Sequence, residues 1–232
     1  MEVSKRVIEY FHDLPSKAEI EVGEGEKVLL RLLPDQPFQD VRFLVKVAKN
    51  GRFEGVFADI IRHKGHFSIG IELAGEGAYA HWLLSSIGLN DDRKSFEPSV
   101  LHLASHTEAL MESYGVAAEK SRLAFSGVSE IRKYARKVKT RQSAKIIVFD
   151  PTSDGKSSPV LKIADNDVEA SHAAVVGRLN EDHLYYLESR GISREEARRL
   201  IAMGYLVPVL PYFGEKESSI ISDSIKGGLF HV

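Results

Sequence analysis

Short apolar segments rich in Val, Ile, Leu and Phe recur along the sequence between Glu19 and about Ile163 and limit the folds that it can adopt. Several of them alternate apolar and polar residues, which is the period of a half-buried strand. Turn residues such as Pro34-Asp35, Asn50-Gly51 and Asp154-Gly155 separate them. The predicted strands are Lys27–Leu33, Val41–Ala48, Phe53–Ile61, His66–Leu73, Tyr79–Ser85, Leu123–Ile131, Lys145–Asp150 and Val160–Ile163.

This pattern predicts a mainly β protein but leaves its architecture open. Strands that recur every ten to fifteen residues, roughly, are compatible with a sandwich, a barrel or a β-solenoid. Asn50-Gly51 favours an antiparallel hairpin locally. No repeat of fixed length stands out, so self-similarity does not select the solenoid.

The N-terminal segment, residues 1–18, is predicted to be a helix. Val3, Val7, Ile8 and Phe11 fall on one helical face, and Leu14-Pro15 would end the helix.

A C-terminal segment, residues 169–210, changes to helical signals. Asn180 can cap a helix running to about Arg190, with Gly191 as its stop. Ser193 and Glu196 form a capping box for a second helix, roughly Arg194 to Met203. The predicted organisation is therefore an N-terminal helix at 1–18, a β core at 19–168, a helical hairpin at 169–210, and a tail at 211–232 that is partly disordered or docks as an extended segment.

Composition excludes several classes of protein. The formal net charge of -2 argues against a surface that grips nucleic acid or an acidic membrane as a whole. The sequence contains no cysteine, which excludes disulfides, thiolate metal ligands and a cysteine nucleophile. The N-terminus lacks the continuous apolar core of a secretory signal, and the longest apolar runs are too short to span a bilayer. A cytoplasmic location is expected.

Two glycine motifs resemble phosphate-binding loops. The segment Gly75–Ala80 matches G-x-G-x-x-A, but no strand–helix alternation follows it, so a glycine turn between strands is favoured. The triplet Gly155-Lys156-Ser157 resembles the end of a P-loop, but Asp150 occupies the position of that motif's first glycine. We interpret it as an ordinary turn.

Histidines and basic residues suggest two further sites. The pairs His63/His66 and His102/His106 could ligate a metal, yet neither brings an obvious third ligand, although His81 could join the first pair in space. The stretch from Arg132 to Lys145 holds seven Lys or Arg residues and a single aromatic, Tyr134. A solvated basic face or a docking site for an acidic partner is favoured over nucleic-acid binding, because base-stacking aromatics are nearly absent.

The polar stretch from Asn166 to His172 combines carboxylates, a hydroxyl and an imidazole between the last predicted strand and the first helix. A histidine here could ligate a metal or pass a proton. A polar turn that caps the helical hairpin explains the same residues.

At this stretch the sequence resembles the SufB/SufD family of iron–sulfur cluster assembly proteins. Asp165–Gly177 matches the family's D-V-x-x-S-H-x-A-x-x-G segment, Leu184–Leu187 its aromatic triplet, and Ser189–Ser193 followed by Glu196-Ala197 its second helix. Weaker matches lie upstream, so that the resemblance extends from about residue 25 to 207. They are Leu73–Ala78, His102–Thr107, Ala124–Gly127 and Thr140–Gln142.

The resemblance implies a right-handed parallel β-helix followed by an α-helical hairpin. It also implies two partners: the family's ABC-type ATPase subunit, and a SufB-like relative or a second copy of this chain. ATPase docking would fall to Leu184, Tyr185, Leu187, Arg190, Leu200 and Tyr205. The dimer interface would be formed by Val160, Leu161, Ile163 and Val168.

Within the family the chain is similar to the SufD branch, because Ser171 and Ala173 flank His172 where SufB carries glutamates. The cysteine that often stands two residues before this histidine in SufD is Ala170 here. His172 is therefore the one ligand candidate that the resemblance transfers, for a cluster or for iron. The isolated chain is expected to hold no cofactor stably, and a transient iron–sulfur cluster belongs to the complex.

Three functions follow as hypotheses. The leading one is a non-enzymatic scaffold subunit for iron–sulfur cluster assembly that works with those partners. The alternatives are a stand-alone metal-binding module that uses His172, and a nucleic-acid-binding β protein that uses Arg132–Lys145. Hydrolytic chemistry has no support, because no nucleophile elbow or acid–base carboxylate pair is present.

Overall fold

A computed structural model describes residues 5–228. Within that range the chain forms fifteen strands and then helices. The strands are β1 (Lys5–Tyr10), β2 (Lys17–Val22), β3 (Lys27–Leu32), β4 (Asp40–Val47), β5 (Arg52–Asp59), β6 (Lys64–Leu73), β7 (Tyr79–Gly88), β8 (Arg93–His102), β9 (Glu108–Ala117), β10 (Arg122–Phe125), β11 (Val128–Ile131), β12 (Val138–Val148), β13 (Asp154–Ser157), β14 (Val160–Ile163) and β15 (Val168–Arg178). The helices are α1 (Glu181–Glu188), α2 (Arg194–Leu206), a short 3-10 helix (Val207–Tyr212) and α3 (Glu215–Gly228).

The strands form a parallel β-solenoid of about six turns. The first sheet runs β1-β3-β5-β7-β9-β12-β15, and the second runs β2-β4-β6-β8-β10-β13, with β11 and β14 continuing it beside β8. Each internal strand therefore pairs with the strand one turn before it and the strand one turn after it, while the terminal strands pair on one side. The parallel β-helix implied by the family resemblance is confirmed.

Residues along each strand point alternately inward and outward, and the inward side chains fill the solenoid interior. In β4, for example, every second residue from Val41 to Val47 is buried. Aromatic rings dominate the central turns, where Phe67 stacks on Trp82 with ring centroids 5.7 Å apart. Nearer the C-terminal end, the inward residues include Ser129, Thr140 and Gln142. The interior thus changes from aromatic to polar along its axis.

The chain turns between the two sheets through residues with positive φ. Gly25, Asn50, Gly77, His106 and Lys137 all take left-handed conformations at the same corner of successive turns. Each of these residues donates its backbone N–H to the next turn; Asn50, for example, bonds the Glu76 carbonyl at 2.9 Å. The antiparallel hairpin predicted from Asn50-Gly51 is therefore wrong. Asn50 lies at a corner that leads into β5, and β5 pairs in parallel with β3 and β7.

Several segments that the sequence pattern left unassigned are strands. β8, β9 and the first half of β12 lie where no strand was predicted. Their outward positions carry many charged and polar residues, so only every second residue is apolar or buried, and the sequence shows no continuous apolar segment there. Parallel pairing with neighbours on both sides supplies the backbone hydrogen bonds that define them.

The predicted N-terminal helix is wrong for the described part of residues 1–18; Val3 lies outside the described residues. Lys5–Tyr10 is strand β1 and pairs with β3. Ile8 and Tyr10 lie two residues apart on its inner face and pack on the core, while Val7 points outward and is exposed. Pairing with β3 favours the strand over the helix, because an isolated helix of this length is only marginally stable in water.

The C-terminal boundaries also move. Residues 168–178, expected to form a turn at the start of the helical segment, are strand β15, because its backbone pairs with all of β12. The predicted hairpin is confirmed: Asn180 caps α1, Ser193 caps α2, and Gly191 has φ +83°. The tail from 211, predicted to be partly disordered or extended, is instead helical within the described residues, because it completes the 3-10 helix and forms α3, whose Ile221 is buried. It packs with α2 on the outer face of the first sheet, where Val209 and Ile221 are buried.

Candidate functional site

A fully buried charge cluster lies inside the solenoid. The ammonium group of Lys94 donates to Asp59 Oδ2 at 2.9 Å and also to the carbonyls of Ile61 and Ile87. Asp59 accepts a further bond from Ser86 at 2.6 Å and contacts His63 Nε2 at 2.9 Å. Burial by itself would raise the pKa of Asp59, but the Lys94 and His63 charges and the hydrogen bonds lower it to about 2. The cluster is closed to solvent, so it offers no surface for a substrate.

Sequence reasoning missed this cluster, because Asp59 and Lys94 lie 35 residues apart. The one usable signal is a lysine at an inward position of an alternating strand, since a lysine is rarely buried without a partner.

The two histidine pairs do not form metal sites. His63 belongs to the buried cluster, whereas His66 lies on the outer face and contacts Ser95 Oγ at 2.9 Å. His81 lies on the outside of the other sheet, where its Nε2 contacts Glu112 Oε2 at 3.1 Å. Between residues 5 and 228 no group of three or more His, Asp or Glu side chains could hold a metal ion.

The second pair is also separated by the sheet. His102 points inward and is fully buried, while His106 lies at an exposed corner. Thr107 donates its hydroxyl hydrogen to the Ala104 carbonyl, so His102 Nδ1–H donates to Thr107 Oγ1 at 2.8 Å. Burial lowers the pKa of His102 to about 4. This imidazole is therefore neutral at physiological pH.

Neither glycine motif forms a phosphate loop. Gly75 and Gly77 form a corner between β6 and β7, and a Cβ at Gly75 would lie 2.0 Å from the Lys49 backbone nitrogen. Only glycine allows so close an approach of adjacent turns. Gly155 lies in strand β13 opposite Leu123. Both motifs are structural, as predicted.

The basic stretch follows a corner and the start of β12. Acidic neighbours accompany several of its charges: Arg132 pairs with Glu130 at 3.1 Å, and Lys139 with Glu169 at 3.3 Å. Tyr134 is 70% exposed and is covered on one face by Lys133. Interspersed carboxylates weaken the field that a phosphate backbone would meet. This geometry favours a solvated, mixed-charge face.

The C-terminal end of the solenoid is open. Among the strands of residues 5–228, β15 is the last of the first sheet, and β13 and β14 have no strand beyond them in the second. Several apolar side chains at this end are exposed: Val160 at 40%, Ile163 at 47%, Val175 at 54% and Val176 at 43%. Ile163 and Val176 face the solenoid axis, where no further turn within residues 5–228 covers them, while Val160 and Val175 face outward. We call these last strands, β13 to β15, the open end. Leu161 and Val168, also expected at a dimer interface, are half-buried there.

His172 lies in the middle of β15 and is exposed. It pairs in register with Gln142, an inward and buried residue of β12. Side chains in register on neighbouring parallel strands project from the same face. His172 therefore faces the solenoid axis at the open end and is not part of a polar turn.

A hydrogen-bonded polar group lies one strand below His172. Gln142 Nε2 donates to Ser129 Oγ at 2.7 Å and to the Val160 carbonyl at 3.1 Å. Thr140 Oγ1 donates to the same Ser129 oxygen at 3.1 Å. These three side chains, Ser129, Thr140 and Gln142, are buried and form what we call the polar rung. Thr140 and Gln142 of this group lie on β12, the strand that pairs with β15.

The helical hairpin projects exposed side chains away from the solenoid. Tyr185 is 74% exposed and Leu200 is 50% exposed; Arg190 is also exposed and lies over the Tyr186 ring. Leu187 and Tyr205 are half-buried. Leu184, expected to dock a partner, is fully buried. Its assignment to a docking surface is wrong, because it is the inner residue of α1 that holds the hairpin together.

A half-buried polar cluster fastens the C-terminal segment to the first sheet and was also missed by sequence reasoning. Glu112 accepts from Tyr114 at 3.1 Å and contacts His81, and the Tyr212 hydroxyl reaches His81 Nδ1 at 3.4 Å. The hydrogen bond to His81 lowers the pKa of Glu112. No sequence signal joins residues this far apart.

None of the helices within residues 5–228 combines the length and apolar character needed to cross a membrane.

The sequence was also compared with protein families and with characterised proteins. Residues 35–205 match the family model described as SUF system FeS cluster assembly, SufBD core domain. The chain is 33% identical to the iron-sulfur cluster assembly protein SufD of Bacillus subtilis (strain 168) over 159 residues, which is 66% of this chain and 36% of that protein. It is 26% identical to SufB of the same organism over 136 residues, 59% of this chain and 29% of that protein. The chain thus spans about a third of the length of these relatives, and by its matched core it belongs to the SufB/SufD family of iron–sulfur cluster assembly proteins.

Proposed function

We propose that this chain is a non-catalytic scaffold subunit of cytoplasmic iron–sulfur cluster assembly, and that its open end joins a second β-solenoid. The observation that carries the proposal is the set of exposed apolar side chains on the last strands, of which Ile163 and Val176 face the solenoid axis and Val160 and Val175 face outward. Soluble proteins rarely leave unpaired strands with apolar side chains uncovered, because such edges pair with other chains.

The partner at this end is a SufB-like relative or a second copy of the chain. β15 presents eleven residues whose backbone groups pair on one side alone, with β12. A strand from the partner would continue the sheet by β-augmentation.

His172 lies centrally on β15, so docking would enclose it between two solenoid ends. A neutral imidazole is a good ligand for iron, but thiolates are the usual ligands of clusters. This chain has no cysteine, so it would supply His172, and thiolates would come from a cysteine-bearing SufB-like partner and not from a second copy of this chain. Nascent iron–sulfur cluster is here the cargo of the complex and is not held by the isolated chain.

The exposed hairpin residues Tyr185, Arg190 and Leu200 form the proposed docking surface for an ABC-type ATPase, with Leu187 and Tyr205 at its edge. Aromatic and arginine side chains commonly dominate the energy of such interfaces. The hairpin connects to the solenoid through Arg198, which pairs with Asp150 at 3.2 Å and lies over the Phe149 ring. An ATPase held there would be coupled mechanically to the last turns of the solenoid.

The interface proposal predicts that a charge at the open end abolishes association. In Val176→Asp or Ile163→Asp, docking would bury a carboxylate without a partner, which we expect to weaken the dimer by at least about a hundredfold. Analytical ultracentrifugation, alone and with a SufB-like relative, measures the effect. Val7→Asp is the matched control, because Val7 is an equally exposed valine at the opposite end of the solenoid. Unchanged association of both open-end variants would reject this surface.

The assembly proposal predicts iron that depends on His172. We would co-express the chain with a SufB-like relative and the ABC-type ATPase of the same source, purify anaerobically, and measure stoichiometry and iron. We expect His172→Ala to keep the complex and lose most of its iron, while Ser171→Ala, the exposed neighbour, retains it. Failure to recover either partner with the wild-type chain would contradict the scaffold role. Full iron in the His172 variant would remove this residue from the site.

A further inference from the structure

A small cavity lies inside the solenoid beside the polar rung. Its volume is about 20 Å³. Its lining includes Met111, Ser113, Phe125, Gln142, Ser157 and Pro159. A space of roughly 10–15 Å³ is enough for one water molecule, so the cavity accepts a water and excludes larger ligands.

The orientation of the Gln142 amide is set by its partners. The Val160 carbonyl accepts a hydrogen bond from this amide, so the atom facing it must be the donor Nε2. In a flipped amide, Gln142 Oε1 would face the Val160 carbonyl oxygen, and two acceptors would repel each other. Gln142 is 4% exposed, and its Oε1 has no protein partner among residues 5–228.

A second buried polar atom lines the same cavity. The hydroxyl oxygen of Ser157 is buried and likewise has no partner within the described part of the chain. Buried polar groups in native proteins are paired, by protein or by ordered water. Two such atoms around a water-sized space are what a bound water requires, and the hydroxyl of Ser113 lines the space as a third candidate partner.

We infer that one water molecule occupies this cavity, donates a hydrogen bond to Gln142 Oε1 and bonds the hydroxyl of Ser157. The water completes the hydrogen bonding of the polar rung and ties β12 to β13, directly below the strand that carries His172. The site is internal to this chain, so it stands independently of iron, partners and the proposed assembly role.

A crystal structure of the full chain, at a resolution that shows ordered water, tests the inference. We expect one peak within about 2.7–3.2 Å of both Gln142 Oε1 and Ser157 Oγ. A wild-type cavity without density, or a Gln142 Oε1 paired with a protein donor, would overturn the proposal.

Two variants sharpen the test. Ser157→Ala removes one partner, and Gly127→Ala places a Cβ 2.8 Å from Gln142 Oε1, which displaces the amide oxygen. We expect the peak to disappear in both, whereas Ser171→Ala on the exposed face keeps it. If Gly127→Ala does not fold, the wild type and Ser157→Ala still decide the question. A peak that persists unchanged in Ser157→Ala would contradict the assigned partner.

Discussion

Replacing Asp59 by asparagine is expected to destabilise the protein by about 3–5 kcal/mol, because it leaves the buried Lys94 ammonium without its counter-ion. Asparagine preserves the shape and can still contact Ser86 and His63, so the loss isolates the charge. For a chain of this size the change corresponds to a fall in Tm of roughly 6–20 °C. Calorimetry, or urea unfolding where the transition is reversible, would measure it.

Two controls separate the buried charge from general effects. Asp91→Asn removes a carboxylate that pairs with Lys64 and Arg62 at the surface, and we expect a change below about 1 kcal/mol. The double variant Asp59→Asn with Lys94→Met removes both buried charges while residue 59 can still contact Ser86 and His63, and we expect it to recover most of the lost stability. If the double variant is no more stable than Asp59→Asn, the unpaired charge is not the cause.

Acidification is expected to destabilise the fold through His102. In the unfolded chain this histidine protonates near its ordinary pKa of about 6.5, but in the folded protein burial holds its pKa at about 4. The unfolded state therefore binds more protons between these values. The contribution of the neutral imidazole to the free energy of unfolding is nearly complete above about pH 6.5 and declines as the pH falls toward 4. Between pH 7 and 5 the loss amounts to about 2 kcal/mol.

Comparison with a non-titrating variant isolates this contribution. His102→Leu suits an inward position between Leu73 and Ile131, and we expect it to reduce the pH dependence of the unfolding free energy by that amount between pH 7 and 5. His106→Asn is the control, because His106 is exposed and asparagine tolerates its left-handed backbone. An unchanged slope in His102→Leu would show that other groups cause the acid sensitivity.

The choice between parallel and antiparallel pairing illustrates what local pattern cannot decide. Asn50-Gly51 suits a tight hairpin, yet Asn50 is one of a column of positive-φ residues whose amides bond the next turn. That column exists only when the turns stack. The family resemblance predicted the parallel β-helix correctly, because it drew on order and spacing over most of the chain.

The candidate site was predicted in part. His172 was identified from the sequence, but its placement on a strand facing the solenoid axis depends on the register with Gln142. Leu184 and Tyr185 are neighbours with equal claims in the sequence, and packing of α1 against α2 buries the first and exposes the second. No residue pattern distinguishes them without that contact.

Three features could be predicted from the amino-acid sequence alone: the strand-rich core, the helical hairpin with its Asn180 and Ser193 caps, and the absence of any thiolate ligand. These are local properties, set by side-chain periodicity, cap chemistry and composition. Three other features required the folded structure: residues 5–10 form a strand, Asp59 contacts Lys94, and apolar side chains at the open end are uncovered. Each depends on contacts between residues far apart in sequence, whose free energy exists only after the turns have stacked.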